Sequence, residues 1–487
     1  MKTKVQELFS SRFGLIATTL GMAIGAGNIW RFPRLAGKYG GPFLLTWAIF
    51  LVLWSIPLLL VEFSMGKKLR LGVIAAFGKA LGGRYTFMGW FVAFCTSAIM
   101  FYYAVVSGWS LKYLIMAFSG EMFRVNHDQY WAAYTASVWQ PVIFHLVALS
   151  VAASLIYAGV VKGIERFSKW IIPSLFVLLI VSAVKAISLN GADIGLSYLF
   201  SFKLAQLDDY KVWLEGLSQS AWSTGAGWGL ILTYAIYTNR DEDITGNVFI
   251  TGIGNNLASI FAGLAIIPTV FALSATVKDA QISLADGNQG LAFITVPKLF
   301  SHMSGGKIFA LVFFTALFFA ALSSLISMLE LATRLLMDFG LSRKKSTVII
   351  ACVTALFGLP SAISMDFFSN QDWVWGLGLM VSGAMFTFVV VKIGVREFVD
   401  EWYRPKKYYS FTLITFRVLF YFVLPMEFVA MLGWWLYQST LWLPDTSWDI
   451  FEKYSLATTF FQWGIVLFVG LVLNNKFNDW LGIKRRL

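Results

Sequence analysis

Two stretches of glycine and small polar residues, Gly21-Met22-Ala23-Ile24-Gly25-Ala26-Gly27-Asn28 and Ser223-Thr224-Gly225-Ala226-Gly227-Trp228-Gly229, lie inside charge-free segments of membrane length. A chain crossing a bilayer must satisfy every backbone N–H and C=O internally. A helix that stops and restarts at that depth leaves groups that only protein, an ion or a substrate can partner. The two stretches therefore read as halves of one binding site. Their plainer reading is packing, with Gly21-x-x-x-Gly25 letting helices approach and the nearby hydroxyls and amides bonding across them.

Composition leaves no soluble alternative, since 58% of the 487 residues are hydrophobic and only 13% are charged, against about a quarter in soluble proteins. A rule of roughly 20 apolar residues per crossing gives about twelve helices, starting near Phe13, Pro42, Tyr85, Pro141, Trp170, Val212, Ile244, Ile308, Ser346, Trp373, Ser410 and Tyr454. The eleventh, interrupted by Arg417 and Glu427, is the weakest. Lys2, Lys4, Arg12, Lys67, Lys68, Arg70, Lys162, Arg166, Lys169, Arg240, Arg343 and Lys484 to Arg486 all fall on one side, which places both termini in the cytoplasm. The net charge of +12 follows from that bias and implies no nucleic-acid partner, although some of these cations are placed to meet membrane lipid. With two cysteines, both in apolar spans, and no Asn-x-Ser/Thr sequon, a prokaryotic inner membrane is favoured, and no cleavable signal is evident.

The broken spans are the first and the sixth. The odd offset of five turns the second set of five upside down, an inverted repeat that brings the two breaks together near the bilayer midplane. The expected architecture is all-α: residues 1–187 as the first repeat, 188–400 as the second, and 401–487 as two further helices. Between the seventh and eighth spans, Lys278 to Lys307 mixes Asp279, Asp286 and glycines with Leu291-Ala292-Phe293-Ile294, and is expected to fold over the outer mouth.

Sodium prefers several hard oxygens, which unwound carbonyls and Ser, Thr or Asn side chains provide. Asn28, Ser223, Thr224, Asn255, Asn256, Ser323 and Ser324 offer them.

The residues Arg12-Phe13-Gly14-Leu15, Gly21, Gly25 and Gly27-Asn28-Ile29-Trp30-Arg31-Phe32-Pro33 resemble the first helix of the neurotransmitter:sodium symporters. Gly40-Gly41, Ile56-Pro57-Leu58 with Glu62, Met65-Gly66, Tyr102-Tyr103, Lys162 to Phe167 and Ala320 to Ser324 extend the likeness through nearly the whole chain. It implies a first sodium at the Ala23 carbonyl, Asn28, Ser223 and Asn255, and a second at the carbonyls of Gly21, Ile24 and Ala320 with Ser323 and Ser324. A substrate carboxylate would meet the Gly25 to Gly27 backbone and Tyr103. The resemblance places the side-chain pocket at Ala26, Ile99, Trp222, Gly225, Trp228, Ser324 and Met328, with Ala23 and Ser223 beside them. Monoamine-transporting relatives carry Asp where Gly25 stands, so an amino acid is favoured over an amine. The uncharged pocket favours an aromatic or branched one.

The likeness further implies an outer charged pair, Arg31 and Asp372, over a Tyr103 and Trp222 lid, and an inner closing set of Glu165, Tyr237 and Asp338. The family's N-terminal arginine and tryptophan are missing, with Lys4 and Phe9 the nearest substitutes. Ser259, Gln219 and Ser223 match a chloride site, but Trp47 replaces its tyrosine and chloride stays open. Glu330 is either a proton site or a paired carboxylate. The implied activity is sodium-coupled uptake of a hydrophobic amino acid by alternating access. The alternatives are a sensor that binds without transport and, more remotely, a channel. An enzyme is poorly supported, because His127, His145 and His302 are dispersed and show no metal-ligand spacing.

Overall fold

The computed structural model describes residues 7–202, 204–285, 287–405 and 407–483. The expectations for Lys2, Lys4, Asp286 and Lys484 to Arg486 lie outside them. Ten unbroken helices there are long and apolar enough to cross a membrane. The second to fifth spans are Gly41–Leu69, Gly83–Ser119, Trp139–Tyr157 and Val160–Ile187; the seventh to twelfth are Ile244–Leu273, Gly306–Asp338, Arg343–Ile363, Met365–Ile393, Tyr409–Trp442 and Leu456–Leu481. The first span consists of Arg12–Ala23 and Ala26–Tyr39, bent by 66°. The sixth consists of Tyr210–Ser223 and Leu230–Ala235, each too short to cross alone. The eleventh continues through Arg417 and Glu427, with Glu427 turned inward and buried.

These helices sort into a centre and a periphery. In the most apolar stretch of each, 78% of the third span and 72% of the eighth is buried, against 33% of the fourth, fifth, ninth and twelfth. Side chains such as Trp170 and Ile308, 75% and 72% exposed, face outward where lipid would lie. The first span packs against the fifth, seventh and eighth, and the sixth packs chiefly against the second, with its second half also against the eighth.

Each break has its own mechanism. At the first, the Gly25 N–H donates to Asn28 Oδ1 (2.9 Å) and the Ala26 N–H to the Tyr103 hydroxyl (3.0 Å), which diverts them from the Gly21 and Met22 carbonyls one turn back. At the second, Gly225, Gly227 and Gly229 take φ of +71°, +87° and +79°, a left-handed conformation that side chains with a Cβ rarely adopt. The buried Glu62 accepts the Gly227 N–H at 2.5 Å, and Thr96 Oγ1 donates to the Trp228 carbonyl at 2.7 Å.

The segment between the seventh and eighth spans packs against the body across the mouth opposite the N-terminus. Phe293 is buried and stacks on Trp131 with ring centroids 5.0 Å apart, while Asn288 accepts from Arg34 Nε at 2.8 Å.

Candidate functional site

Where the two breaks meet, a cavity of about 820 Å³ runs from Ser324 and Met328 at its floor to Lys453 and Tyr454 at its rim. Ala23, Gly25, Gly27, Tyr103, Trp222, Ser223, Gly225 and Trp228 line it as well. Ala26 and Ile99 are fully buried behind that wall, and Ala26 contributes through its N–H. A Cβ added to Gly25 would lie 2.9 Å from both Tyr103 Oη and Ser324 Oγ, so the absence of a side chain is what brings these hydroxyls to the bare backbone. Because Tyr103 Oη accepts from Ala26, its proton remains available to donate into the cavity. Trp222 and Trp228 meet edge to face at 5.8 Å and form an apolar wall.

Beside this cavity is a set of converging oxygens. One end of the Asn255 amide stands 2.9 Å from the Ser223 carbonyl, 3.1 Å from the Ala23 carbonyl and 2.7 Å from the Asn28 amide nitrogen. Placed with its oxygen there, Asn255 accepts from Asn28 but confronts two carbonyls; reversed, two amide nitrogens collide. A cation among the three oxygens satisfies the first arrangement, so the donor set fits sodium. Asn28 adds its own side-chain oxygen, held by the Gly25 N–H.

At the second cluster, Ser323 Oγ donates to the Ala320 carbonyl at 3.0 Å, and Ser324 Oγ lies 3.4 Å from the carbonyls of Met22 and Ile24. Gly21 meets Ser323 closely, since a Cβ there would lie 3.3 Å from that of Ser323. These oxygens also fit a small cation and join the first span to the eighth.

A profile of the Sodium:neurotransmitter symporter family matches residues 6–141 and 137–475. The chain belongs to that family. Among the relatives of this symporter, an uncharacterized sodium-dependent transporter of Methanocaldococcus jannaschii is 32% identical over 74% of this chain and 75% of its own. Another, from Bacillus subtilis, is 28% identical over 87% of this chain and 96% of its own. The crystal structure of MhsT in complex with L-phenylalanine superposes with a TM-score of 0.78 at 28% identity, covering 87% of this chain and 98% of that one. The protein is thus a multi-pass, sodium-dependent transporter with the five-plus-five helical fold.

The charged residues of the symporter arrange differently from the sequence-based expectation. Arg31 and Asp372 line the same cavity, but Arg31 Nη2 bonds Ser218 Oγ at 2.7 Å and lies 3.9 Å from Glu215, with its guanidinium 5.6 Å from the centre of the Trp222 ring. Among the described residues no ion pair joins Arg31 to Asp372.

Two of the inner residues, Asp338 and Tyr237, are linked through Arg334, whose guanidinium lies 6.0 Å from the centre of the Tyr237 ring. Glu165 takes Ser10 N–H and Oγ at 2.8 and 2.7 Å and Lys169 at 2.7 Å; Asp338 takes Arg334 at 2.8 Å and Gly72 N–H at 2.5 Å. Tyr237 donates to Glu330 at 2.6 Å, and Arg343 grips both Glu330 oxygens at 2.7 and 2.9 Å. Glu330 is therefore a paired carboxylate. Phe9 is buried against the rings of Tyr234 and Tyr237, and its N–H donates to the Tyr237 carbonyl at 2.9 Å.

Sequence reasoning missed Arg343 as the Glu330 partner and Glu215 as the acid nearest Arg31. Both are charges at the end of an apolar span, a signal that the resemblance, which supplied Asp372, does not use. It also missed the tenth-span wall of Gly376, Leu377 and Met380, where apolar residues carry no chemical signature.

Proposed function

We propose that the protein carries a hydrophobic amino acid, aromatic or branched, into the cell together with sodium by alternating access. The observation that carries this reading is Gly25. Its missing side chain leaves backbone and two hydroxyls facing a cavity without a fixed anion there, a receptor for a carboxylate and not for an amine. The MhsT complex with L-phenylalanine supports an amino acid with a large apolar side chain, as do Trp222 and Trp228.

The ammonium group would face carbonyls freed at the breaks, and the carboxylate would complete the first sodium site. The second sodium would tie the first span to the eighth, so its occupancy would bias which side is open. The membrane potential contributes about 2.3 kcal/mol per charge per 100 mV, enough for roughly 50-fold accumulation per sodium. Both termini would be cytoplasmic, in a prokaryotic inner membrane. The cavity then opens outward, with Phe9 and the Glu330 cluster closing the inside.

Chloride belongs to the same proposal. Trp47 Nε1 and Gln219 Nε2 are buried donors without partners, and the Ser259 and Ser223 hydroxyls accept from Asn28 and Asn255, leaving their protons to donate. Four such donors suit an anion beside the first sodium.

Uptake of radiolabelled amino acids into proteoliposomes tests this, with an inward sodium gradient or potassium in its place, and with and without chloride. Sodium-dependent accumulation of phenylalanine, leucine or a similar residue is expected. Sodium-dependent binding without accumulation would overturn transport in favour of a sensor.

A further inference from the structure

A second cavity, about 1430 Å³, opens on the N-terminal face between the second, seventh and eleventh spans, away from the substrate path. Its inner wall is apolar, made by Val52, Ile56, Leu60, Phe249, Phe411 and Leu419. Its rim is charged, carrying Lys67, Lys68, Arg70, Arg240, Arg404 and Lys407 against Asp241, Glu242, Asp243 and Glu401.

Most of these charges are already engaged. Arg12 lies 3.6 Å from Glu242 and 3.9 Å from Asp243, and Glu401 lies 3.7 Å from Lys68 and 3.1 Å from Arg404. Arg70 donates to the Ile236 carbonyl at 2.5 Å, and Lys67 to the Glu242 carbonyl at 2.6 Å. Among the described residues, Arg240 and Lys407 make no hydrogen bond or ion pair, and Asp241 is the one rim acid in the same condition. The uncommitted charge of the rim is thus positive.

Backbone conformation singles out the same place. Arg70, Arg404 and Tyr408 have φ of 59°, 51° and 58° and are the non-glycine residues with positive φ among the described residues. All three line this groove. Unfavourable backbone gathered at one site is characteristic of functional surfaces.

We propose that the groove binds one anionic glycerophospholipid of the adjoining leaflet, with its phosphate at Arg240 and Lys407 and its acyl chains along the wall from Val52 to Leu419. A zwitterionic lipid would bring its own cation to the same rim and lose the advantage; a polyanion without acyl chains would leave the apolar wall wet. The groove also adjoins the inner closing region, because Arg70 holds the Ile236 carbonyl while Arg334 Nη2 donates to the Arg70 carbonyl at 3.2 Å.

Native mass spectrometry of the intact protein, titrated with dioleoylphosphatidylglycerol or dioleoylphosphatidylcholine, tests the proposal. One phosphatidylglycerol should be retained at least fivefold more strongly than phosphatidylcholine. The double variant Arg240→Ala/Lys407→Ala, both exposed on loops, should lose that preference while its thermal unfolding stays unchanged. An Ile56→Trp variant, which fills the wall, should lower retention of both lipids. Equal retention of the two lipids by the natural sequence, or an undiminished preference in the double variant, would overturn the assignment. Neither result depends on which amino acid is transported.

Discussion

The centre of the molecule and its inner closing cluster are both buried and polar, yet they are built on opposite principles. At the centre, neutral groups are left in surplus: the Asn255 amide confronts two carbonyls, Trp47 and Gln219 hold unpartnered donors, and the Gly21 and Met22 carbonyls have lost their helical N–H groups. In the inner cluster the carboxylate's demands are met internally, with both Glu330 oxygens held by Arg343 and one also by Tyr237. Surplus polarity marks a place where ligands complete the structure, whereas saturated charge marks a place where the chain fastens to itself.

This contrast can be broken most directly at the cluster. Arg343→Ala would leave Glu330, which has no solvent exposure, with Tyr237 alone and should destabilise the protein by about 3–5 kcal/mol. The double variant Arg343→Met/Glu330→Leu should recover most of that loss in thermal unfolding. If the single variant unfolds like the parent, the cluster is not a fastening.

Gly25→Asp should come next, because its carboxylate would enter the space held by Tyr103 and Ser324 and oppose the substrate's own. A penalty of several kcal/mol, more than about 100-fold in amino-acid affinity, is expected from equilibrium binding. Retained affinity would move the substrate carboxylate elsewhere.

Asn28→Ala and Ser323→Ala each remove an oxygen of the proposed sodium sites, Asn28→Ala together with the acceptor of the Gly25 N–H. Each should raise the sodium concentration for half-maximal binding about tenfold or more, since hydrogen bonds and contacts to charge are worth about 1.5–3 kcal/mol. Unchanged sodium titrations in both would refute the ion assignment.

The smallest effect is expected from Tyr103→Phe, which keeps the ring and removes one hydroxyl, a donor to the cavity and the acceptor of the Ala26 N–H. Affinity should fall by about 1–2 kcal/mol, roughly fivefold to thirtyfold, with sodium half-saturation little altered. Competition binding separates that outcome from a general loss of folding.

Much of this was readable along the chain because membrane constraints are severe. Gly25, Gly27, Gly225, Gly227 and Gly229 stand out within apolar spans, and each sits at a break. The oxygens of Asn28, Ser223, Asn255, Ser323 and Ser324 stand out for the same reason, and two clusters gather them. Partnership among charges was harder to read. Arg31 turned to Ser218 and Glu215 because a long, flexible side chain can reach several acceptors, and spacing along the chain does not say which. Arg343 reached Glu330 because the turn after Asp338 folds the ninth span's first residue back beneath the eighth.

By itself the sequence determined the membrane environment, the helices and the positions of the two breaks. Lipid forbids unpaired backbone, and left-handed φ is costly to every residue except glycine. Tertiary structure alone decided which polar groups meet, which remain unpartnered and which apolar side chains wall the cavity. Those outcomes depend on distances of a few ångströms between segments far apart in the chain, and no local pattern encodes them.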